Sequence, residues 1–491
     1  MRATLLTVLC VLLTFPVAAA DRLESSVDKA ARQVMATFNL PAVAIAIVQD
    51  DHVLLAKAYG VKESGKPDPV SADTLFQIGS TTKAFTTTAL AMLADEKKLD
   101  WDDPVRRHLS YFHLNDPCAD AAVTLRDIVS HRSGVSRHDE LWDNASFSRE
   151  ETIRRLGEAK LSHPIRTAWQ YNNILFIAAG EVVASASKMS WDDFLRNRIF
   201  EPLGMKHSQT RFADWAPSDH AVGHNWSHQK ITLHPAAEDT TLGPAGAIKS
   251  SANDMARWLR FQLADGAIDG KRLLSEAALN ETKTPQMAMN VEKSSRATNP
   301  FTHVQSYAMG WNVQDYRGEL QVSHGGAING FRAQVALLPD RKIGVVIMTN
   351  IGRGFGIIAL RNTLLDSLLH VSPYDWNAAY LAVEKKSEDT AAIKRKEREA
   401  KRLPDAKPSH DLSAFAGTYS NAVYGEATVT VENAKLTIRW QRLQIPMSHE
   451  NYDTFRATSE EDDIDEVVRF TLNAEGSVAS MEVFGETFVR K

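Results

Sequence analysis

The sequence predicts an α+β fold for the larger part of the chain and a separate all-β fold for its tail. Three observations lead there. Two apolar hairpin patterns stand far apart, near residues 42–59 and 331–349, with mostly helix-patterned sequence between them. A run dense in Lys, Glu and Arg spans Glu384 to Arg402. From Leu412 onward the texture changes to short alternating strands.

The 491 residues suffice for more than one domain, and 44% hydrophobic with 24% charged residues can bury a full core. A formal net charge of −5 gives no electrostatic reason to bind nucleic acid or an anionic membrane. Residues 1–20 read as a secretory signal: Arg2 is the only charge, Leu5 to Phe15 is apolar, and Ala18-Ala19-Ala20 offers cleavage after Ala20. The run is too short for a comfortable span. Leu9 precedes Cys10 where a lipoprotein signal carries a small residue, so no membrane anchor is expected. A periplasmic or secreted protein follows. The mature chain would keep only Cys118, read as a quiet semi-buried thiol, and no internal disulfide.

Taken in order, Pro41–Val48 and Val53–Tyr59 flank the turn Gln49-Asp50-Asp51-His52, a hairpin closed by Gly60. Thr124–His131, Ile174–Ala186, Trp191–Ile199 and Ser251–Leu263 are helical in pattern, the last with Ser251 and Asp254 as a capping pair. Phe331–Leu338 and Ile343–Thr349 flank Pro339-Asp340-Arg341-Lys342, a second hairpin expected to share the first one's antiparallel sheet. The charged run is read as a solvated helical linker, closed by Leu403-Pro404 and Lys407-Pro408. Ala427–Val431, Lys435–Trp440, Val467–Leu472 and Ser477–Phe484 are strands of a small barrel or sandwich. The resulting division is 1–20 signal, 21–370 catalytic domain, 371–408 linker and 409–491 tail domain.

The chemistry is concentrated in Phe76-Gln77-Ile78-Gly79-Ser80-Thr81-Thr82-Lys83. A turn at Gly79 into a helix places Ser80 and Lys83 on one face, three residues apart. The helix start supplies free N–H groups for an oxyanion. A serine hydroxyl needs a base to become a nucleophile, and a lysine serves once it is partly neutral. Ser26–Lys29, Ser185–Lys188 and Ser227–Lys230 match the same spacing without that setting. Tyr171-Asn172-Asn173 offers a proton relay and an amide, although Tyr419-Ser420-Asn421 matches as well. His324-Gly325-Gly326-Ala327 precedes the second hairpin, and its glycines would let a substrate lie against the strand edge. The N–H of Ala327 could join that of Ser80.

In this order and at these spacings, the three motifs resemble those of the serine β-lactamase and penicillin-binding superfamily. The chain looks most like the group of class C β-lactamases, D-alanyl-D-alanine carboxypeptidases, D-aminopeptidases and related esterases. Asp73-Thr74-Leu75-Phe76, the stretch from Leu125 to Gly134, and Phe200-Glu201-Pro202-Leu203-Gly204-Met205 carry the likeness too. So do Gly243-Pro244-Ala245-Gly246, Ser251 with Asp254-Met255, and Met309-Gly310-Trp311. It covers about residues 25–370, and the tail's Phe415, Gly417 and Tyr419 resemble the opening of a lipocalin-like domain attached to some D-stereospecific peptidases.

The resemblance implies an antiparallel sheet flanked by helices beside a mostly helical lobe, with Ser80 in the cleft. It implies Ser80 as acylated nucleophile, Lys83 as base or relay, Tyr171 as relay and deacylation base, and Asn173 as substrate and lysine anchor. Ser80 and Ala327 would form the oxyanion hole, with His324, Gly325 and Gly326 along the substrate. His324 stands where lysine is common, and Gly325 where a hydroxyl residue is common, which points to peptides, amides or esters ahead of β-lactams. No cofactor or metal is expected, since the histidines show no metal-ligand spacing. Expected partners are a small-molecule or peptide substrate, with an oligomer through the C-terminal domain left open. The rival readings are a true class C-like β-lactamase, a Ser-His-Asp hydrolase (disfavoured because no G-x-S-x-G occurs), and a non-catalytic binder on the same scaffold.

Overall fold

The computed structural model describes residues 17–215, 217–234, 241–403, 405–459 and 464–491. Most of the expected leader, residues 1–16, lies outside the described residues.

An eight-stranded antiparallel sheet organises the larger unit. Its strands are β1 (Ala42–Gln49), β2 (His52–Gly60), β3 (Met287–Met289), β4 (Gln305–Tyr307), β5 (Asn312–Tyr316), β6 (Glu319–Ile328), β7 (Phe331–Leu338) and β8 (Ile343–Thr349), ordered β2-β1-β8-β7-β6-β5-β4-β3. The two expected hairpins therefore meet, β1 pairing with β8 from Val43↔Thr349 to Gln49↔Ile343. β1 is covered on both faces, which is why its sequence is continuously apolar. Its alanines 42, 44 and 46 face the helical lobe, and its larger Val43, Ile45 and Ile47 face the outer helices.

Those outer helices are α1 (Val17–Phe38), α5 (Phe355–Leu368) and α6 (Trp376–Ala400). α1 buries Val27, Ala31, Val34 and Phe38, spaced three or four apart as one stripe. On the other side lie α2 (Thr82–Asp95), α3 (Asn173–Ser187) and α4 (Ala252–Leu263). Ser251 caps α4 by accepting from Asp254 N, but Asp254 holds His207 N and Ser208 N instead of completing a reciprocal box. The helix expected over Trp191–Ile199 ends at Leu195 and passes into a wider π turn, Arg196–Phe200. Among the described residues no single helix is long and apolar enough to cross a membrane. α3 with the bent segment Trp191–Leu203 meets the length and composition, yet α3 is core: Ile174 to Gly180 are all buried.

The charged run differs from a purely solvated linker. α6 begins at Trp376, and its first turns bury Trp376, Tyr380 and Glu384, the last ion-paired with Arg353. Cys118 is exposed, against the semi-buried reading: it follows Pro117 in the first turn of a short surface helix, Pro117–Ala122.

The tail is a closed antiparallel barrel of eight strands, β9 (Gly417–Asn421), β10 (Gly425–Glu432), β11 (Lys435–Trp440), β12 (Leu443–Asn451), β13 (Thr454–Ser459), β14 (Ile464–Leu472), β15 (Val478–Val483) and β16 (Glu486–Arg490). Closure removes exposed edges, and Phe415, Tyr419, Phe455, Phe470 and Phe488 fill the inside. The barrel packs against the helical lobe. Phe147 meets Trp440 edge-on, Arg442 Nη2 donates to Asn144 Oδ1 at 3.0 Å, and His138 Nδ1 lies 3.1 Å from Tyr424 Oη.

Candidate active site

The chain reaches Ser80 through a two-residue strand, Phe76–Gln77, paired with Lys249–Ser250. Gly79 turns it with φ +51°, and a 3₁₀ turn, Gly79–Thr81, leads into α2. This turn is pressed onto β6. A Cβ at Gly79 would stand 2.7 Å from Ala327 N, and one at Gly326 would stand 1.9 Å from Ile78 O. Only glycine fits either place. The approach puts Ser80 N beside Ala327 N at the mouth of the cleft, where two backbone donors can share one oxyanion. Sequence reasoning gave the glycines of 324–327 to the substrate; Gly326 instead admits the serine turn.

α2 is buried all round from Thr82 to Leu93, so Lys83 sits in the core. Burial pushes its ammonium well below the ordinary lysine pKa; Asp139 opposes that shift and Arg137 adds to it. Lys83 Nζ has three partners: Asn173 Oδ1 at 2.7 Å, Ala245 O at 2.8 Å and Ser80 Oγ at 3.2 Å. The first two can only accept. In its neutral form the amine would direct both N–H bonds to them and leave its lone pair for the Ser80 hydroxyl; as ammonium it donates to all three.

Asn173 opens α3, with Asn172 as the cap accepting from Leu175 N. Its Oδ1 faces Lys83, and its Nδ2 donates to Asp139 Oδ1 at 3.1 Å. Asp139 also pairs with Arg137. Burial pushes the Tyr171 phenol far above the ordinary value, with the Ser80 side chain opposing that shift. Lys83 Nζ stands 4.8 Å from its ring centroid and the Arg137 guanidinium 5.2 Å. His131 brackets this tyrosine. Its carbonyl accepts from Gln170 N at 2.8 Å, its Nδ1 from Asn172 N at 3.1 Å, and its ring lies 4.3 Å from the phenol ring.

β5 stops pairing with β6 at Asn312↔Ser323, so His324–Ile328 present a free edge to the cleft. His324 does not offer that edge a side-chain donor. Its Nδ1 lies 2.7 Å from Gly325 O, a pure acceptor, so the ring proton is there; Nε2 then accepts from Tyr307 Oη at 3.0 Å. Burial pushes its pKa down to about 3, with Lys83 adding to the shift.

The cleft holds about 970 Å³ and is lined by Ser80, Tyr171, Asn173 and the four residues 324–327. The structure thus brings together all the sequence-predicted site residues, with Lys83 just beneath. It leaves the competing matches elsewhere: Ser26 and Lys29 are exposed on α1, Ser185 donates to His108 O, and Tyr419 points into the barrel. Sequence reasoning missed Asp139, Tyr307, Trp142, Trp169, Arg332, Gln334, Phe355 and Ile358. Only the polar Arg137-His138-Asp139 run had a local signal. Among the described residues no cluster of three His, Cys, Asp or Glu is placed to hold a metal.

Comparison with known proteins bears on the family and the fold. The Beta-lactamase family model matches residues 27–368, and a domain of unknown function, DUF3471, matches 401–490. The unguisins hydrolase ungD of Aspergillus violaceofuscus is 26% identical, covering 89% of this chain and 83% of that protein. The protein flp of Staphylococcus aureus (strain MW2) is 23% identical over 64% of this chain and 60% of its own length. In structure, the octameric penicillin-binding protein homologue from Pyrococcus abyssi superposes with a TM-score of 0.63 at 20% identity, over 96% of this chain and 99% of that one. SurE superposes with a TM-score of 0.58 at 22% identity, over 97% and 100%.

Proposed function

Because this chain belongs to the β-lactamase family, we propose that it is a serine hydrolase forming an acyl-enzyme at Ser80. The observation that carries the reading is the arrangement around Lys83: a buried amine with two obligatory acceptors and a serine hydroxyl as third neighbour. Lys83 Nζ takes the Oγ proton as Oγ attacks the substrate carbonyl. The N–H groups of Ser80 and Ala327 receive the oxyanion. The proton then passes through the Tyr171 hydroxyl to the leaving group, and water releases the acid in the reverse sequence. Burial drives the lysine and the tyrosine apart, which favours Lys83 as resting base and Tyr171 as a protonated relay.

The substrate class we propose is a D-amino-acid peptide or amide, or a small ester, with β-lactams reacting weakly. The neutral His324 and the side-chain-free Gly325 support it, since neither supplies a fixed charge for a carboxylate. A relative named as a hydrolase supports bond hydrolysis. The leader-like sequence of residues 1–20 supports export to the periplasm or medium.

The test is covalent labelling by a fluorophosphonate with mass analysis. The native enzyme should gain one adduct on Ser80, and Ser80→Ala none; Ser26→Ala, Ser185→Ala and Ser227→Ala should label as the native chain does. An adduct on Ser80→Ala sinks the assignment.

A further inference from the structure

Gln334 lies directly across the β6–β7 ladder from Gly325, and its amide is fixed from behind. Arg361 of α5, buried beneath β7, donates from Nη1 to the Gln334 side chain at 2.7 Å. Its Nε and Nη2 both donate to Asn362 Oδ1, at 3.0 and 2.9 Å. Among the described residues no carboxylate pairs with this guanidinium. Leaving a cation in such a place is costly, so its contacts call for a reason.

Chemistry settles which way the amide points. A guanidinium only donates, so the Gln334 atom facing it is Oε1, and Nε2 faces away. Nε2 stands 2.8 Å from where a Cβ at Gly325 would be. The missing side chain of Gly325 is therefore what opens this N–H₂ to the cleft, which Gln334 lines. Nε2 has no protein acceptor among the described residues. A cation on the carbonyl end also polarises the amide and strengthens the N–H as a donor.

The direction along the free edge decides which part of a substrate arrives there. Ala327 stands beside Ser80 N, and His324 has its ring 6.3 Å from that of Tyr171. Gly325 is two residues from Ala327 toward the relay, about 6.8 Å along an extended strand. That is the side from which the leaving group takes its proton. Phe355 and Ile358 also line the cleft, as does Arg332, whose Nη1 donates to Phe331 O. Gln334 itself offers an uncharged donor, which suits a neutral carbonyl oxygen, whereas a carboxylate would have to reach the Arg332 guanidinium to be compensated.

We propose that Gln334, positioned by Arg361 and uncovered by Gly325, is the hydrogen-bond donor of a leaving-group subsite that takes a neutral carbonyl oxygen beside an apolar group. The proposal rests on the serine-hydrolase reading. Gln334 touches substrate; Arg361 acts through it as a positioning residue.

Gln334→Glu separates these roles, because its carboxylate still accepts from Arg361 but puts an acceptor where Nε2 was. The probes are D-alanyl-glycinamide (neutral carbonyl in the leaving group), D-alanyl-glycine (a carboxylate there) and D-alanine p-nitroanilide (neither). The native enzyme should favour the glycinamide over D-alanyl-glycine. In Gln334→Glu, kcat/KM should fall at least 10-fold more for the glycinamide than for the anilide, mostly through KM, with thermal unfolding checked in parallel. Gly325→Ala, whose Cβ would displace Nε2, should fall in the same order. Equal falls on all probes, or a native preference for D-alanyl-glycine, overturn the subsite. Labelling at Ser80 with no turnover of any probe also overturns it while leaving the serine chemistry standing. Absence of labelling at Ser80 overturns the function itself.

Discussion

Asn173 Oδ1 stands 2.7 Å from Lys83 Nζ, and the same amide reaches Asp139 through Nδ2 at 3.1 Å. A neutral amide thus separates the buried amine from the Asp139 carboxylate, which raises its pKa. Burial lowers the pKa of the amine, and a direct partner without charge leaves that shift standing.

Asn173→Asp would place a carboxylate against Lys83 and favour the ammonium. A base must be unprotonated, so activity rises with pH through the Lys83 pKa, and raising that pKa moves the acid limb upward. The expected outcome is a limb shifted by about one unit or more, where each unit is about 1.4 kcal/mol. At neutral pH kcat falls, and it recovers on the alkaline side. A pH profile of kcat for native and variant enzymes checks this, and an unmoved limb removes Lys83 as the base.

Gly326→Ala tests the contact that forms the oxyanion site. Its Cβ would meet the Ile78 carbonyl at 1.9 Å, and backbone cannot step aside as a side-chain end can. The Ser80 turn must lift from β6, separating Ser80 N from Ala327 N. Loss of one such donor costs about 10²–10³ in kcat. Turnover of p-nitrophenyl butyrate is expected to drop by about that factor.

The sheet was legible in the sequence because β1, β7 and β8 are buried and therefore read as apolar runs with turns between them. The site was legible where one short stretch carried both the turn and the chemistry, as at Gly79-Ser80 and Lys83. It was not legible where partners come together only through the fold. Gln334 and Arg361 stand far from Gly325 in the chain, and a glutamine in a strand has no local mark of function. The β12 and β13 strands of the barrel do alternate, but Pro446 interrupts the first and Phe455 is the one large apolar residue of the second, so neither stood out as a strand. His324 is instructive in another way: the resemblance set it along the substrate, but both ring nitrogens are used inside the protein.

His324→Lys would set an ammonium against Tyr307 in the same buried place, with Lys83 close enough to oppose it. Part of the thermal stability is therefore expected to be lost. The charge that remains should move selectivity toward anionic substrates, measured as kcat/KM for nitrocefin against p-nitrophenyl butyrate and a D-alanyl anilide. Native enzyme that hydrolyses nitrocefin orders of magnitude faster than the ester and amide contradicts the proposed substrate class.

The seam between lobe and barrel offers a prediction that does not depend on catalysis. Glu140 is mostly buried there, accepting from Asn144 Nδ2 at 2.7 Å, while Asn144 Oδ1 accepts from Arg442 of the barrel. Burial pushes its carboxyl up from 4.5 to about 7, with Asp143, Glu466 and Asp139 adding to the shift and Asn144 opposing it. A raised carboxyl pKa means that the folded protein holds the proton more tightly than the unfolded chain. The associated stability is full below about 4.5 and is lost as pH rises through about 7. Glu140→Gln keeps the oxygen that Asn144 needs and removes the charge. Its melting temperature is expected to exceed that of the native protein by a few degrees at pH 8, with the difference shrinking steadily to near zero by pH 4.5. A gap that is the same at both pH values would mean that Glu140 does not titrate at the seam.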